Sequence, residues 1–361
     1  MEMYQKFRRN IIDTSYDATQ KHIAMWLFLC ALMILLMVAL GGITRLTHSG
    51  LSIVEWRPIT GIIPPLSLED WIVEFKKYQA SLEYKYINFG MTLEEFKQIF
   101  LIEYVHRLIG RITGIVFILP LIYFIIRKEV NKVLINKLFL ILVIGLLQGI
   151  IGWYMVRSGL EDHYDVSQYR LALHLITAVI IYGFIIWIAL DCWYQGKFLH
   201  ISTKLIGSSK HANLNVILIL IQIVSGAFVA GTNAGLVYNN FPLMDGSLVP
   251  SGLFRLSPWY QNIFENIITI QFIHRVLATL IVASIVIFFI KNYRINLNKR
   301  VNSIILCLLI VLIIQVFLGI STLIYRIPTV LALLHQIGAL LLFSVALYTS
   351  WLIRMQERYL I

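Results

Sequence analysis

Long apolar runs alternate with short polar stretches along this chain. A membrane-crossing helix needs about 20 predominantly apolar residues, and eight runs meet that length: 24–44, 104–126, 133–156, 170–193, 213–232, 267–290, 301–325 and 328–352. The pattern predicts an all-α integral membrane protein with eight transmembrane helices. The polar stretch between the first two spans, about 45–103, is long and has a pattern of its own. Ser67 opens a segment with Leu68, Trp71, Ile72 and Phe75 on one helical face and Glu69, Asp70, Glu74 and Lys76 elsewhere, as in a helix lying at the interface. Thr92-Leu-Glu-Glu95 reads as a capping box for a helix that runs through Phe96, Ile99 and Phe100 into span 2. The loop is expected to lie as a lid over the outer ends of the helices.

Composition agrees with the runs. The chain of 361 residues is 59% hydrophobic and 14% charged, against roughly 25% charged in soluble domains. Its net charge of +11 would fit nucleic acid only if the basic residues were pooled on one surface. They instead occupy alternate loops: Lys6, Arg8, Arg9 and Lys21; Arg127, Lys128, Lys132 and Lys137; Lys197, Lys204 and Lys210; Lys291, Arg294, Lys299 and Arg300; Arg354 and Arg358. The positive-inside rule then places both termini in the cytoplasm, and the charge reads as topology with membrane lipid as neighbour and no nucleic acid. Of the three cysteines, Cys30 and Cys307 fall inside spans and Cys192 at the inner end of span 4. There is no CxxCH for covalently attached haem. The N-terminus is too short and too acidic for a usual mitochondrial presequence, which favours a multi-pass protein of a bacterial inner membrane.

The chain also repeats. Gly42-Ile-Thr-Arg-Leu-Thr47-His-Ser-Gly50-Leu51 after span 1 matches Ala227-Phe-Val-Ala-Gly-Thr232-Asn-Ala-Gly235-Leu236 after span 5, and Gln148-Gly149-Ile150 pairs with Leu318-Gly319-Ile320. Each half is thus a four-helix unit, and the two enter the membrane in the same sense as a parallel repeat. The expected organisation is a cytoplasmic segment 1–23, a bundle 24–193 containing outer loop 45–103, a linker 194–212, a second bundle 213–353 and a tail 354–361.

Four histidines recur at matching places: Glu103-Tyr-Val-His106-Arg107 and Leu171-Ala-Leu-His174 in the first half, Gln271-Phe-Ile-His274-Arg275 and Leu333-Leu-His335 in the second. All lie near the outer ends of even-numbered spans. A lone intramembrane histidine is as often a neutral, hydrogen-bonded packing residue as a ligand, but four at repeating positions point to function. Bundle interiors commonly hold cofactors. Carboxylate and thiolate co-ligands are sparse, so two imidazoles facing across a plane fit haem iron better than a bare ion. His106 with His174 and His274 with His335 are therefore the expected axial ligands of two haem sites. Arg107, Arg275 and Arg111 are candidates to clamp haem propionates, with Arg45 and Arg57 as further ones. His22, His48, His163, His200 and His211 read as surface or loop residues, with His48 and His163 on the outer side, where they could line an entrance.

Glu103 lies one turn from His106 on the same helical face, where a carboxylate could accept a proton or stabilise a developing cation. Its counterpart Gln271 can do neither. The bland alternative is that Glu103 only satisfies an arginine. If Glu103 carries chemistry, the first half holds the haem that reacts, and the second a haem that stays.

Together, Glu103-Tyr-Val-His-Arg107, the histidine partners, the doubled plan and the run Gly41-Gly-Ile-Thr-Arg-Leu-Thr-His-Ser-Gly-Leu-Ser52 resemble the haem A synthase family over nearly the whole chain. The resemblance implies oxidation of the C8 methyl of haem O to a formyl group by two hydroxylations and a dehydration. The family's essential glutamate maps onto Glu103 and its haem ligands onto His106, His174, His274 and His335. It implies haem O as substrate, resident haem b in the C-terminal half, and haem O synthase and the cytochrome oxidase assembly pathway as partners. The electron acceptor stays unspecified, and a homo-oligomer is compatible with the pattern. One branch of the family has a cysteine pair in the outer loops; this chain lacks it and resembles the proteobacterial and mitochondrial branch. Two other classes compete: a di-haem b-type electron-transfer cytochrome, which needs no Glu/Gln difference, and a transporter, which predicts helices broken at mid-membrane.

Overall fold

The computed structural model describes residues 2–161, 165–195, 208–293 and 299–358. Ten helices lie among them: α1 (Glu2–Leu46), α2 (Leu68–Gln79), α3 (Leu82–Tyr86), α4 (Leu93–Ile126), α5 (Lys132–Glu161), α6 (Gln168–Tyr194), α7 (Ser208–Gly231), α8 (Ile267–Tyr293), α9 (Lys299–Ile324) and α10 (Thr329–Arg358). Eight of these are long and apolar enough to cross a membrane, and they coincide with the eight expected spans. Segment 1–23 is not separate from the first span, because α1 runs unbroken from Glu2 and buries Ile23 and Ala24. His163, His200, Lys197, Lys204, Arg294 and most of linker 194–212 lie outside the described residues.

Much of each long helix faces outward with apolar side chains, among them Leu32 and Leu36 on α1 and Leu119 and Ile122 on α4. Such a surface would be an aggregation hazard in water; against lipid it is the ordinary solution, since the helix satisfies its own backbone. α5 is the extreme case, with 11% of its most apolar stretch buried.

Inside, α1 packs on α4 and α6, and α5 on α6; in the second half α7 packs on α8 and α10, and α9 on α10. The neighbour order is the same in both. α6 against α7 and α1 against α10 join the halves, with hydrogen bonds between the Tyr182 and Ser344 hydroxyls (2.7 Å) and from Trp351 Nε1 to Asp191 Oδ1 (2.8 Å). One apolar core runs through all eight long helices, drawing Leu27, Leu138, Ile185, Ile219, Ile285 and Trp351 from the ends opposite the four histidines. The histidine ends are therefore free to diverge around a cavity. His22 is exposed. His211, expected at the surface, instead packs edge-on against Phe288 with a ring nitrogen 3.2 Å from Ser284 Oγ.

The long loop 45–103 folds where its caps direct. Ser67 and Asp70 cap α2 reciprocally, and Thr92 and Glu95 do the same for α4. At about 1.5 Å per residue, the 34 residues of α4 outreach a hydrocarbon core of about 30 Å, so its first turns form a platform. Trp71, Phe75 and Tyr78 seat α2 on Phe96 and Phe100 there, with ring centroids 5.1 Å apart for Trp71–Phe100 and 5.3 Å for Tyr78–Phe96. The expected apolar face was misplaced: Leu68 is 63% and Ile72 38% exposed. Ile72 lies about 100° round the helix from Trp71, and the contacting residues follow i, i+4, i+7 from Trp71 instead.

Candidate functional site

A cavity of about 1770 Å³ opens among the helix ends that carry the four histidines, lined by His106, His174, His274, His335, Glu103 and Gln271. Single small-molecule pockets occupy about 300–1,000 Å³, so this space suits more than one large ligand. It is continuous across the two halves, whereas the sequence reading placed each histidine pair inside its own bundle. Cys30, Ile185, Ile219 and Leu312 belong both to its lining and to the core, and so form its floor. His106 and His174 of the first half and His274 and His335 of the second all border this one space.

Every histidine is seated in the same way. A glycine on the neighbouring helix lies against the ring: a Cβ on Gly41 would stand 3.4 Å from His106 Cε1, on Gly152 2.9 Å from His174 Cε1, on Gly226 3.3 Å from His274 Cε1, and on Gly319 2.8 Å from His335 Cε1. One turn inward from each histidine is a small cavity-lining residue: Gly110, Ala178, Ala278 or Ala339. Four residues before three of the glycines stands a glutamine. Gln148 Nε2 donates to the His174 carbonyl at 2.9 Å and lies 3.2 Å from Nδ1. Gln315 does the same for His335 at 2.9 and 3.1 Å, and Gln222 for His274 at 3.0 and 3.2 Å. The internal match of Gln148-Gly149 to Leu318-Gly319 is thereby corrected by three residues, to Gln148/Gly152 with Gln315/Gly319. Sequence reasoning had the signal for these glutamines, a polar side chain inside an apolar span, and did not use it for the ligands.

The arginines tie helices to loops. Arg107 donates to the Ile53 and Glu55 carbonyls at 3.0 and 3.3 Å; Arg275 donates to Tyr238 and Asn240, both at 3.0 Å. The spacing of the two loops is identical, and His48 and Asn233 turn them with the same left-handed backbone, φ 49° and 54°. His48 also lines the cavity. Arg111 holds the Arg57 and Pro58 carbonyls. Arg45, which lines the cavity, pairs with Asp165 at 2.7 Å, and Arg57 pairs with Glu55. Arg111 Nη1 and Arg275 Nε, by contrast, are buried N–H groups without a partner.

Within this shared frame the residue one turn before the first histidine of each half differs in its head group. Glu103, 3% exposed, accepts from Ser52 Oγ (2.7 Å), Ile53 N (2.8 Å) and Arg107 Nη2 (2.6 Å). It does satisfy an arginine, and two further donors fix it at the cavity wall. Gln271 donates to the Tyr238 carbonyl at 3.0 Å and leaves its own Oε1 unpartnered. Val237 stands where the first half has Ser52. The loop thus presents donors to the carboxylate and an acceptor to the amide.

These residues fit haem. Glycines and small residues leave room beside four imidazoles, and two arginines with unpartnered N–H groups border the same cavity, as carboxylates of a bound group would need. No cluster of three or more His, Cys, Asp and Glu suited to a bare ion occurs among the described residues.

A further carboxyl at the cavity besides Glu103 and Asp165, Glu83 of α3, was not foreseen. It is buried, lines the cavity, accepts from Tyr78 Oη at 3.1 Å, and Asn88 in turn donates to that hydroxyl at 2.7 Å. Burial pushes its pKa up to about 8, the Glu103 and Asp165 charges adding to the effect and Arg45 opposing it. An unfolded Glu titrates near 4.3. Between these values the folded state binds more protons, so stability falls as pH rises toward and through about 8. Thermal unfolding from about pH 6 to about pH 9 should therefore show the wild type losing more stability than Glu83→Gln. Parallel curves would mean that Glu83 does not titrate across this range.

Eight helices long and apolar enough to cross a membrane, with four glycine-seated histidines bordering one cavity, define a multi-pass membrane protein. Residues 24–347 match the family model described as cytochrome oxidase assembly protein, COX15-CtaA, and the chain belongs to that family. Among its relatives, the heme A synthase of Wolbachia pipientis wMel is 49% identical over 345 residues, 95% of this chain and 96% of that one. The heme A synthase of Nitrosospira multiformis is 48% identical over 339 residues, 94% and 95% of the two chains. That of Ehrlichia ruminantium (strain Gardel) is 44% identical over 344 residues, again 94% and 95%.

Proposed function

We infer that this chain is a haem A synthase, oxidising the C8 methyl of haem O to a formyl group by two hydroxylations and a dehydration. The observation that carries the reading is the Glu103/Gln271 difference: the two positions share arginine, loop and neighbouring histidine, and only the first has a carboxylate. His106 and His174 hold the substrate haem, with Arg111 Nη1 open to a propionate and Arg107 bracing the loop above. His274, His335 and Arg275 hold a resident haem b. Bound haem supplies the redox chemistry. Glu103, fixed by Arg107, Ser52 and Ile53, is placed to take a proton from the reacting methyl group or to stabilise positive charge developing there.

In this reading the bundles 24–193 and 213–353 are parallel repeats in a bacterial inner membrane, with both termini cytoplasmic and the cavity toward the periplasm. Loop 45–103 covers the substrate site, and haem O synthase is the expected supplier.

The test is expression in a host that makes haem O but no haem A, followed by analysis of the extracted haems. Haem A should appear with the wild-type chain. Haem O alone, beside a normally folded two-haem protein, would instead indicate a di-haem electron-transfer cytochrome.

A further inference from the structure

Three of the four histidines carry an amide anchor and one does not. Gln148, Gln222 and Gln315 each stand four residues before the glycine that seats a histidine, and each clamps that histidine's backbone carbonyl and lies within 3.2 Å of Nδ1, Gln222 being equally close to Nε2. His274 has a second Nδ1 neighbour, Ser225 Oγ at 3.2 Å. At His106 the seating glycine is Gly41, and the position four residues before it is Met37. The position matching Ser225 is Leu40, since each immediately precedes the seating glycine. Met37 packs instead toward Gly110, where a Cβ would lie 3.4 Å from its Cε. His106 Nδ1 is accordingly buried with no hydrogen-bond partner.

The partner of a ligating histidine's other nitrogen fixes the ring's orientation, and its loss costs about 10–100-fold in affinity. A burial this complete without a partner is unusual for a polar atom. It occurs at one site of four, and that site belongs to the pair beside Glu103. A substrate haem must enter and its product must leave, whereas a resident haem gains from tight anchoring.

We propose that Met37 and Leu40 act as positioning residues that withhold the second anchor from His106 and make the first site the one that exchanges its haem. The inference rests on the assignment of the first half as the reacting site, and it identifies what lets that site turn over its occupant. The first site is held by one anchored and one unanchored ligand, the second by two anchored ones.

The test uses the full-length protein loaded at both sites with haem b and mixed with excess apomyoglobin, haem loss being followed optically. Wild type should release haem in two phases, and His106→Ala should abolish the fast one. Met37→Gln should slow the fast phase about tenfold, and the reciprocal Gln222→Met should speed the slow phase by a similar factor. A gain in retention is not something that structural damage produces. An unchanged fast phase in Met37→Gln, or a slow phase tied to His106, overturns the proposal; haem A formation, scored separately, would leave the assignment of Glu103 standing. If His106→Ala leaves both phases intact, no haem is held there, and the assignment fails together with the proposal.

Discussion

Glu103→Gln should lower haem A formation by about 100-fold or more, the range general acid–base groups contribute, while the protein keeps its haem. The substitution is nearly isosteric and leaves His106 and His174 untouched. Its amide oxygen can still accept from Ser52 Oγ and Ile53 N, which now meet the carboxylate at 2.7 and 2.8 Å. The amide nitrogen then faces Arg107, which loses its ion pair but keeps the Ile53 and Glu55 carbonyls. A mismatch of this kind costs about 1–3 kcal/mol, so product must be normalised to purified, haem-bound protein. Unaltered haem A formation would remove Glu103 from the mechanism and leave it the role of loop anchor.

The second large effect concerns the seat of the resident haem. In Gly319→Ala the new Cβ would stand 2.8 Å from His335 Cε1, closer than packed atoms tolerate. His335 is also tied down by Gln315, one turn before Gly319 on the same helix, so it has little freedom to give way. Overpacking costs about 1–3 kcal/mol, about ten- to a hundredfold in retention, and the haem-to-protein ratio of the purified variant should fall toward one haem. Gly149→Ala is the control: nothing lies within 4 Å of its Cβ position, and it should retain both haems. The pair also separates the two possible registers, because the mispaired alignment makes Gly149 rather than Gly152 the counterpart of Gly319.

The spans were legible because apolar length alone defines them, and α2 and α4 because Ser67 and Thr92 announce their starts. The four histidines were legible as polar residues in apolar helices, and the Glu103/Gln271 contrast because the motifs around it align. What escaped was set by packing between helices far apart in sequence. Ser52 meets Glu103 across 51 positions, and no local pattern marks it. Gly152 is one glycine among several on α5, and only its 2.9 Å approach to His174 singles it out. The pairing of Arg45 with Asp165 spans 120 residues, and no local pattern announces it. Glu83 reads as an ordinary loop acid until the fold buries it beside Tyr78 of α2.

The floor of the cavity has a thermodynamic consequence. Because Cys30, Ile185, Ile219 and Leu312 line the cavity and also knit the helices of both halves into one core, a ligand seated above them binds only when both halves are packed. By mass action, such a ligand stabilises the whole bundle in proportion to the logarithm of its free concentration over its Kd. Haem lodged against one pair of histidines should therefore raise the melting temperature of the other half as well, so that cofactor supply and membrane-protein lifetime become a single linked equilibrium.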